Sequence, residues 1–457
     1  SANVRLESGR QIFHAQLAQD DLAATADGQL VDKVLTFDRL VLRSRDASFD
    51  SSGRIALTDA YPYAVKGTLA RFDPSRFGNF PAATLNAQLS AEGTIRPRWS
   101  ASVRYRIAQS RFRGQPLEGS GTLAASPDRV SEADAHLRLG GNSLDLKGAF
   151  GAPNDTLAFH LEAPRLSSVL AGLSGRATAK GTLRGTRDKP SLNAELSAAD
   201  LAYGEMELKQ WQMSARIVQG ADPVVEATSR IHGARAGKVV MDAISADVQG
   251  TFGAHALKVS FRGPYTDTSA SLQGRFDPKA PRWDGTLQAL ENRGPYAFRL
   301  MRPATLLAGR GQVELGAAEI AFADGRMQLQ TSRVAGARIS SVGSFTGMPL
   351  SRWIERRPQI DSTLVLGGRW EIDFEKRANG FVEIVRERGD VIVTTEEEPV
   401  SLGLNDARIR ADLRNDDIAV KADIKGRNLE AALDARTRAV RTADRWTLPP
   451  DAPLTLS

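Results

Sequence analysis

Apolar and polar residues alternate with a period of two along nearly the whole chain. Leu192, Ala194, Leu196 and Ala198 alternate with Asn193, Glu195 and Ser197. The pattern returns at Trp211, Met213, Ala215 and Ile217, at Leu257, Val259 and Phe261, and at Trp370, Ile372 and Phe374. It returns again at Ile409, Ala411 and Leu413, and at Ile418, Val420, Ala422 and Ile424. Successive side chains of a strand point to opposite faces, so each run of about 4–8 residues turns one apolar face to one side of a sheet. Turn signals stand between the runs: Asp27-Gly28, Ser52-Gly53, Gly140-Gly141-Asn142, Asp324-Gly325, Asn379-Gly380 and Asn415-Asp416-Asp417. Such spacing predicts a meander of short antiparallel strands.

Helical signals are few and interrupt the strands near 73–78, 165–173 and 349–356. Asp73 stands as an N-cap before Pro74 at a first helical position. Leu166, Val169, Leu170 and Leu173 fall on one face of a two-turn helix after Pro164. Pro349 to Ile354 is the third candidate. The segment Thr84 to Ala91 is echoed by Ser191 to Ala198, which suggests growth by repetition of a strand-rich unit. No Pro/Ser-rich linker divides the chain, so residues 1–457 read as one elongated β-rich body.

An open sheet of more than about ten strands must curl, split or close. Three outcomes fit: a membrane barrel, an array of packed sandwiches, and a sheet curled along its length into a trough with an apolar interior. A barrel of this length would have about 16–18 strands and needs aromatic girdles at two heights. Six Trp and six Tyr, scattered, do not supply them. In the trough, some 30 strands about 4.8 Å apart would extend roughly 140 Å.

Chemistry is hard to find. With no Cys there is no disulfide scaffold, thiolate metal site or cysteine nucleophile. The five His (His14, His136, His160, His232 and His255) show no metal-ligand spacing. No G-x-S-x-G elbow is present, and Gly119-Ser120-Gly121 and Gly309-Arg310-Gly311 lack the context of a phosphate loop. Glu396-Glu397-Glu398 before Pro399 reads as a solvated loop. Carboxylates paired for glycoside chemistry cannot be picked out by spacing. The expectation is no enzyme, no catalytic residue, no metal and no cofactor. Sixty basic against 54 acidic residues give a net charge of +6, which is dilute. Without basic clusters or interleaved aromatics, no nucleic-acid partner is expected. No run approaches the roughly 18 apolar residues of a membrane helix. The segment from Ser1 to Arg5 lacks a signal peptide's basic and apolar regions, so any export signal or anchor is expected outside this chain.

Several segments, in order, resemble the TamB family. They are Gly141-Asn142-Ser143-Leu144-Asp145-Leu146-Lys147-Gly148, then Leu161-Glu162-Ala163-Pro164-Arg165-Leu166, then Leu173 through Thr186 with Lys189-Pro190. Trp283-Asp284-Gly285-Thr286-Leu287, Arg302-Pro303-Ala304-Thr305-Leu306, Gly380 through Val391 and Leu402-Gly403-Leu404 complete the series. The resemblance runs over most of residues 40 to 457. TamB proteins are AsmA-like inner-membrane components of the translocation and assembly module of Gram-negative bacteria. The resemblance implies a long, curled antiparallel sheet, a β-taco, with a hydrophobic interior. It implies a periplasmic place bridging inner and outer membranes, with an inner-membrane anchor at an N-terminal helix that this chain lacks. It implies outer-membrane protein assembly and phospholipid transport, without a catalytic residue set. The outer-membrane partner TamA would be met through a C-terminal region absent here, so the chain reads as an internal segment.

A continuous apolar surface suits lipid independently of the resemblance, provided large side chains leave it unfilled. The expected lining is Leu192, Leu196, Met213, Ile217, Val259, Phe261, Ile372, Phe374, Ile409, Leu413, Val420 and Ile424. Phospholipid acyl chains are the expected ligand. The other function is a scaffold or chaperone whose edge strands pair with outer-membrane barrel or autotransporter segments.

Overall fold

Alternation and turn chemistry together produce an all-β antiparallel fold. The computed structural model describes residues 1–457 except 8, 20, 77–78, 323–324, 353–359, 395–398, 428, 439, 443–444, 448–454 and 457. Two units divide the chain, Ser1–Ile244 and Ser245–Ser457.

In the first unit each strand from Ala2–Glu7 to Val224–Ala236 pairs antiparallel with its neighbours in sequence. Hairpins close where two residues take positive φ, as at Asp32 and Lys33 (47° and 64°) and at Gly140 and Gly141 (57° and 92°). A row of bulges crosses neighbouring strands between Phe37 and Leu40, Leu69 and Phe72, Thr84 and Ala87, and Ile107 and Ser110. Each bulge adds twist and bend, and a row of them curls the sheet. Asn86 clasps this row: its Oδ1 accepts from Arg71 N at 2.8 Å and its Nδ2 donates to Gln109 O at 2.8 Å.

In the second unit the meander resumes with His255–Gly263, Thr266–Asp277 and Arg282–Asn292. The last of these pairs with two short strands, Phe298–Leu300 and Ala304–Gly309. These hand over to Ala318–Phe322 and Gln312–Leu315, which both join Arg326–Ala335. Buried Asn292 holds the break, accepting from Asp267 N at 2.9 Å and donating to Tyr296 O at 2.8 Å. From Arg338–Pro349 the sheet continues through Val365–Phe374, Ala378–Arg388, Leu404–Arg414, Asp417–Gly426 and Glu430–Arg438. Ile360–Ser362, Val391–Thr394 and Pro399–Ser401 form a small separate sheet.

Several sequence expectations need correction. The predicted turns Asp27-Gly28, Ser52-Gly53 and Asn379-Gly380 lie inside the strands Leu22–Val31, Ala47–Ala56 and Ala378–Arg388. Their glycines mark close backbone approach rather than chain reversal: a Cβ on Gly53 would sit 2.6 Å from Ala64 O. The strands also outrun the predicted 4–8 residues. Pro190–Tyr203 has 14, and Leu173–Gly185, Met206–Val218 and Val224–Ala236 have 13 each. At Asp200 φ is 54° and the pairing with Leu173–Gly185 shifts register. Apolar positions are even-numbered up to Ala198 and odd-numbered at Leu201, so the period breaks while the strand continues. The helical stretches shrink to single 3-10 turns, Pro74–Arg76, Leu166–Ser168 and Leu350–Arg352. After Leu166–Ser168, Val169 and Leu170 remain exposed and Leu173 opens a strand. No side chain caps that turn, and so short a segment does not repay helix nucleation. Phe77-Gly78, Trp353-Ile354, Asp324 and Glu396 to Glu398 lie outside the described residues.

Candidate functional site, an uncovered apolar face

Cross-strand register assembles the alternating residues into lanes. In the first unit one lane runs Leu157, Leu183, Leu192, Ile217, Val225. A second runs Leu144, Leu161, Ala179, Leu196, Met213. In the second unit Ile372 faces Gly380, which faces Leu413 and then Ile418. Trp370, Val382, Ala411, Val420 and Ala435 form the next lane, and Ile384, Ile409, Ala422 and Leu433 another.

All twelve expected lining residues fall on apolar faces. Leu192, Leu196, Met213 and Ile217 share one in the first unit. In the second, Ile372, Phe374, Ile409, Leu413, Val420 and Ile424 share another. Val259 and Phe261 follow Leu257, whose lane passes through Leu272, Leu287 and Ala304. Phe261 stands at a polar margin, opposite Thr268 and one strand from Asn292. Met213, Phe261 and Ile409 are 37%, 37% and 41% exposed, and the other nine are half-buried.

Among the described residues the twelve lining side chains are half-buried or exposed rather than closed over. Among the described residues no large side chain is less than 2% exposed. The chain exposes 29,024 Å², whereas two compact globules of half its mass would expose about 20,000 Å². The lane of Leu272, Leu287 and Ala304 is buried, whereas the twelve lining side chains are shielded by their neighbours in the sheet and stay partly exposed.

Alternation did not reveal how the rings are stored. On the apolar faces, aromatic side chains lie down over cross-strand glycines. Phe13 covers Gly28, Phe159 covers Gly181, Trp283 covers Gly274, Phe345 covers Gly368 and Trp370 covers Gly343. A Cβ on any of these glycines would stand 2.5–2.6 Å from a ring carbon. The sequence signal was present as glycines inside strands, which mark close approach. The effect is to flatten the bulkiest groups against the sheet.

The opposite face is a charged lattice. Lys180 meets Glu195 at 3.0 Å, and Arg129 meets Asp155 at 2.9 Å. His14 pairs with Asp27 and His136 with Asp145 across strands. Glu383 is nearly buried, accepts from Arg369 Nε at 2.7 Å and has Arg410 at 3.7 Å. The Arg369 hydrogen bond holds its carboxyl below the usual glutamate range, against the desolvation that pushes the other way. Phe381 lies between the guanidinium groups of Arg369 and Arg410, 5.5 and 4.3 Å from its ring centre. Among the described residues no three metal-ligating side chains cluster, and no helix is long and apolar enough to cross a membrane.

A family model described as TamB, N-terminal domain, matches residues 10–443. The chain is similar to the translocation and assembly module subunit TamB of Haemophilus influenzae (strain ATCC 51907 / DSM 11121 / KW20 / Rd), at 21% identity over 300 residues. That match covers 62% of this chain and 23% of the relative. No solved structure matches the chain.

Proposed function

The chain belongs to the TamB family, and from that premise we propose that its apolar faces carry phospholipid acyl chains between inner and outer membranes. The protein then works in the periplasm as part of a translocation and assembly module, with TamA as its outer-membrane partner and an inner-membrane anchor at its N-terminal side. The observation that carries this reading is the pair of uncovered apolar faces. An acyl chain of about 15 methylenes pays roughly 12 kcal/mol to enter water, at about 0.8 kcal/mol per methylene. At 1.4 kcal/mol per decade that slows transfer by about eight to nine decades. An open apolar lane lowers the barrier without chemistry.

The test uses the two faces of one strand. Phe261 and its neighbour Ser260 point to opposite sides of His255–Gly263, and Ser260 bonds Ser245 at 2.6 Å on the polar side. A photo-crosslinking residue at Phe261 labels phospholipid in membrane-extracted protein, while one at Ser260 does not. Leu413→Asp strips co-purified lipid, read by thin-layer chromatography, with the circular dichroism spectrum retained, because Leu413 faces an open lane. Reversed labelling, or crosslinks from Phe261 to unfolded outer-membrane protein alone, refutes lipid carriage and favours the scaffold.

A further inference from the structure

We propose that the first unit carries a separate binding site, on its polar face, for a phosphorylated sugar. Between the strands Val34–Ser44 and Gln115–Ser126 that face is dished into an open cavity of about 910 Å³, within the range that holds a small ligand. Arg104 and Arg106 line one end of it, and Lys66 lines it two strands away. Among the described residues of this unit some basic side chains have carboxylate partners, such as Lys180 with Glu195 and Arg98 with Asp128, and others, such as Lys147 and Arg184, have no ion pair. Among the described residues Lys66, Arg104 and Arg106 have none.

Register explains their convergence. Lys66, Ser90, Arg104 and Thr122 form one cross-strand row, and Thr68, Gln88, Arg106 and Ser120 form the next. Arg104 and Arg106 are two residues apart on one strand, so both point to this face about 7 Å from each other. Two guanidinium forks at that spacing suit a phosphate group, which takes bidentate hydrogen bonds from Arg, and Lys66 adds a third positive charge two strands away. The floor between them is hydroxyl and amide. At the far end Asp38, Arg39 and Asp50 enter the same cavity, and the two carboxylates there accept hydrogen bonds from hydroxyl groups. A pair of Arg residues at one end, a hydroxyl and amide floor, and a mixed-charge end with two carboxylates fit a phosphate joined to a polyol. Tyr105, the aromatic residue bordering the cavity, belongs by register to the apolar row of Leu89 and Gly121. No ring is therefore offered for base stacking, which separates the site from a nucleotide site. The sheet is one layer thick, so a lipid on the other face does not compete.

Calorimetric titration of the full chain with glucose 1-phosphate, inorganic phosphate and glucose tests this. Glucose 1-phosphate is expected to bind at about 1 mM or tighter, with inorganic phosphate about tenfold weaker and glucose undetected. Arg104→Gln and Arg106→Gln each weaken binding about tenfold, as does Lys66→Gln on another strand, while Lys180→Gln changes nothing. Melting curves that match wild type show that the variants are folded. Binding weakens as salt is raised, since exposed charges are screened. No heat at about 10 mM glucose 1-phosphate overturns the site. So does equal affinity for inorganic phosphate, or binding undiminished in all three variants.

Discussion

Gly343 and Gly368 show how a single missing Cβ serves the apolar face. They lie on facing strands, Arg338–Pro349 and Val365–Phe374, with Trp370 directly opposite Gly343 and Phe345 directly opposite Gly368. Each strand supplies one ring and one glycine, and each ring lies on the bare backbone opposite. A Cβ at position 343 would meet Trp370 Cζ2 at 2.5 Å and Gln328 O at 2.8 Å. The carbonyl cannot yield, so the indole must rotate upward and lose the bond from its Nε1 to Ser341 Oγ, now 3.0 Å. Gly343→Ala is therefore expected to destabilise the second unit by about 1–3 kcal/mol, the usual result of overpacking. Tryptophan emission should shift as the ring leaves its glycine. Ser344→Ala, one residue on and facing the other way, should melt like wild type. If Gly343→Ala leaves both melting and emission unchanged, the ring is not held by that glycine.

At the scale of elements, the Asp390 carboxylate helps tie the small sheet to the main one. Asp390 accepts from Ser401 Oγ, from Gly403 N at 2.9 Å and from Leu404 N at 3.0 Å. Those bonds, the Ser401 hydroxyl foremost, hold its acid well below the usual aspartate range. A depressed acid stabilises the fold above the ordinary carboxylate pKa of about 4, and that stability is lost as pH falls below it. Glu383 follows the same sign through Arg369. Asp390→Asn should make the Gly403 and Leu404 amides exchange about tenfold faster at neutral pH, with the gap to wild type closing below about pH 4. A gap that widens in acid would contradict the assignment. This tie was not legible in the sequence, because Asp390 and Leu404 stand apart in the chain and nothing periodic links them. The strands were legible, because burial of one face writes a period of two directly into Leu192 to Ala198 and Ile418 to Ile424. The period failed where the backbone slipped, at Asp200, and glycine misled where it served close approach, at Gly28, Gly53 and Gly380. Parity alone defines the expected lining set. Register places its members in lanes, and it also adds Trp370, Val382 and Ile384, which the same alternation could have supplied.

For the whole molecule, the quantity that separates a lane from a core is surface. A packed core hides its apolar side chains from water, whereas a single layer leaves them half exposed while its backbone is fully paired. The chain exposes 29,024 Å² when folded, and its unfolded form would expose about 71,000 Å². Unfolding thus uncovers about 42,000 Å², against about 51,000 Å² for two compact globules of the same total mass. Denaturant slopes and unfolding heat capacities scale with that difference. Both should be about a fifth smaller than for compact proteins of this length, summed over however many transitions appear. Lipid seated on the apolar faces buries part of the missing area, so lipid-loaded protein should regain some of the slope as the ligand is released on unfolding. A slope of full compact size in lipid-free protein would mean that the apolar faces close on themselves in solution, and a face closed on itself has no room for an acyl chain.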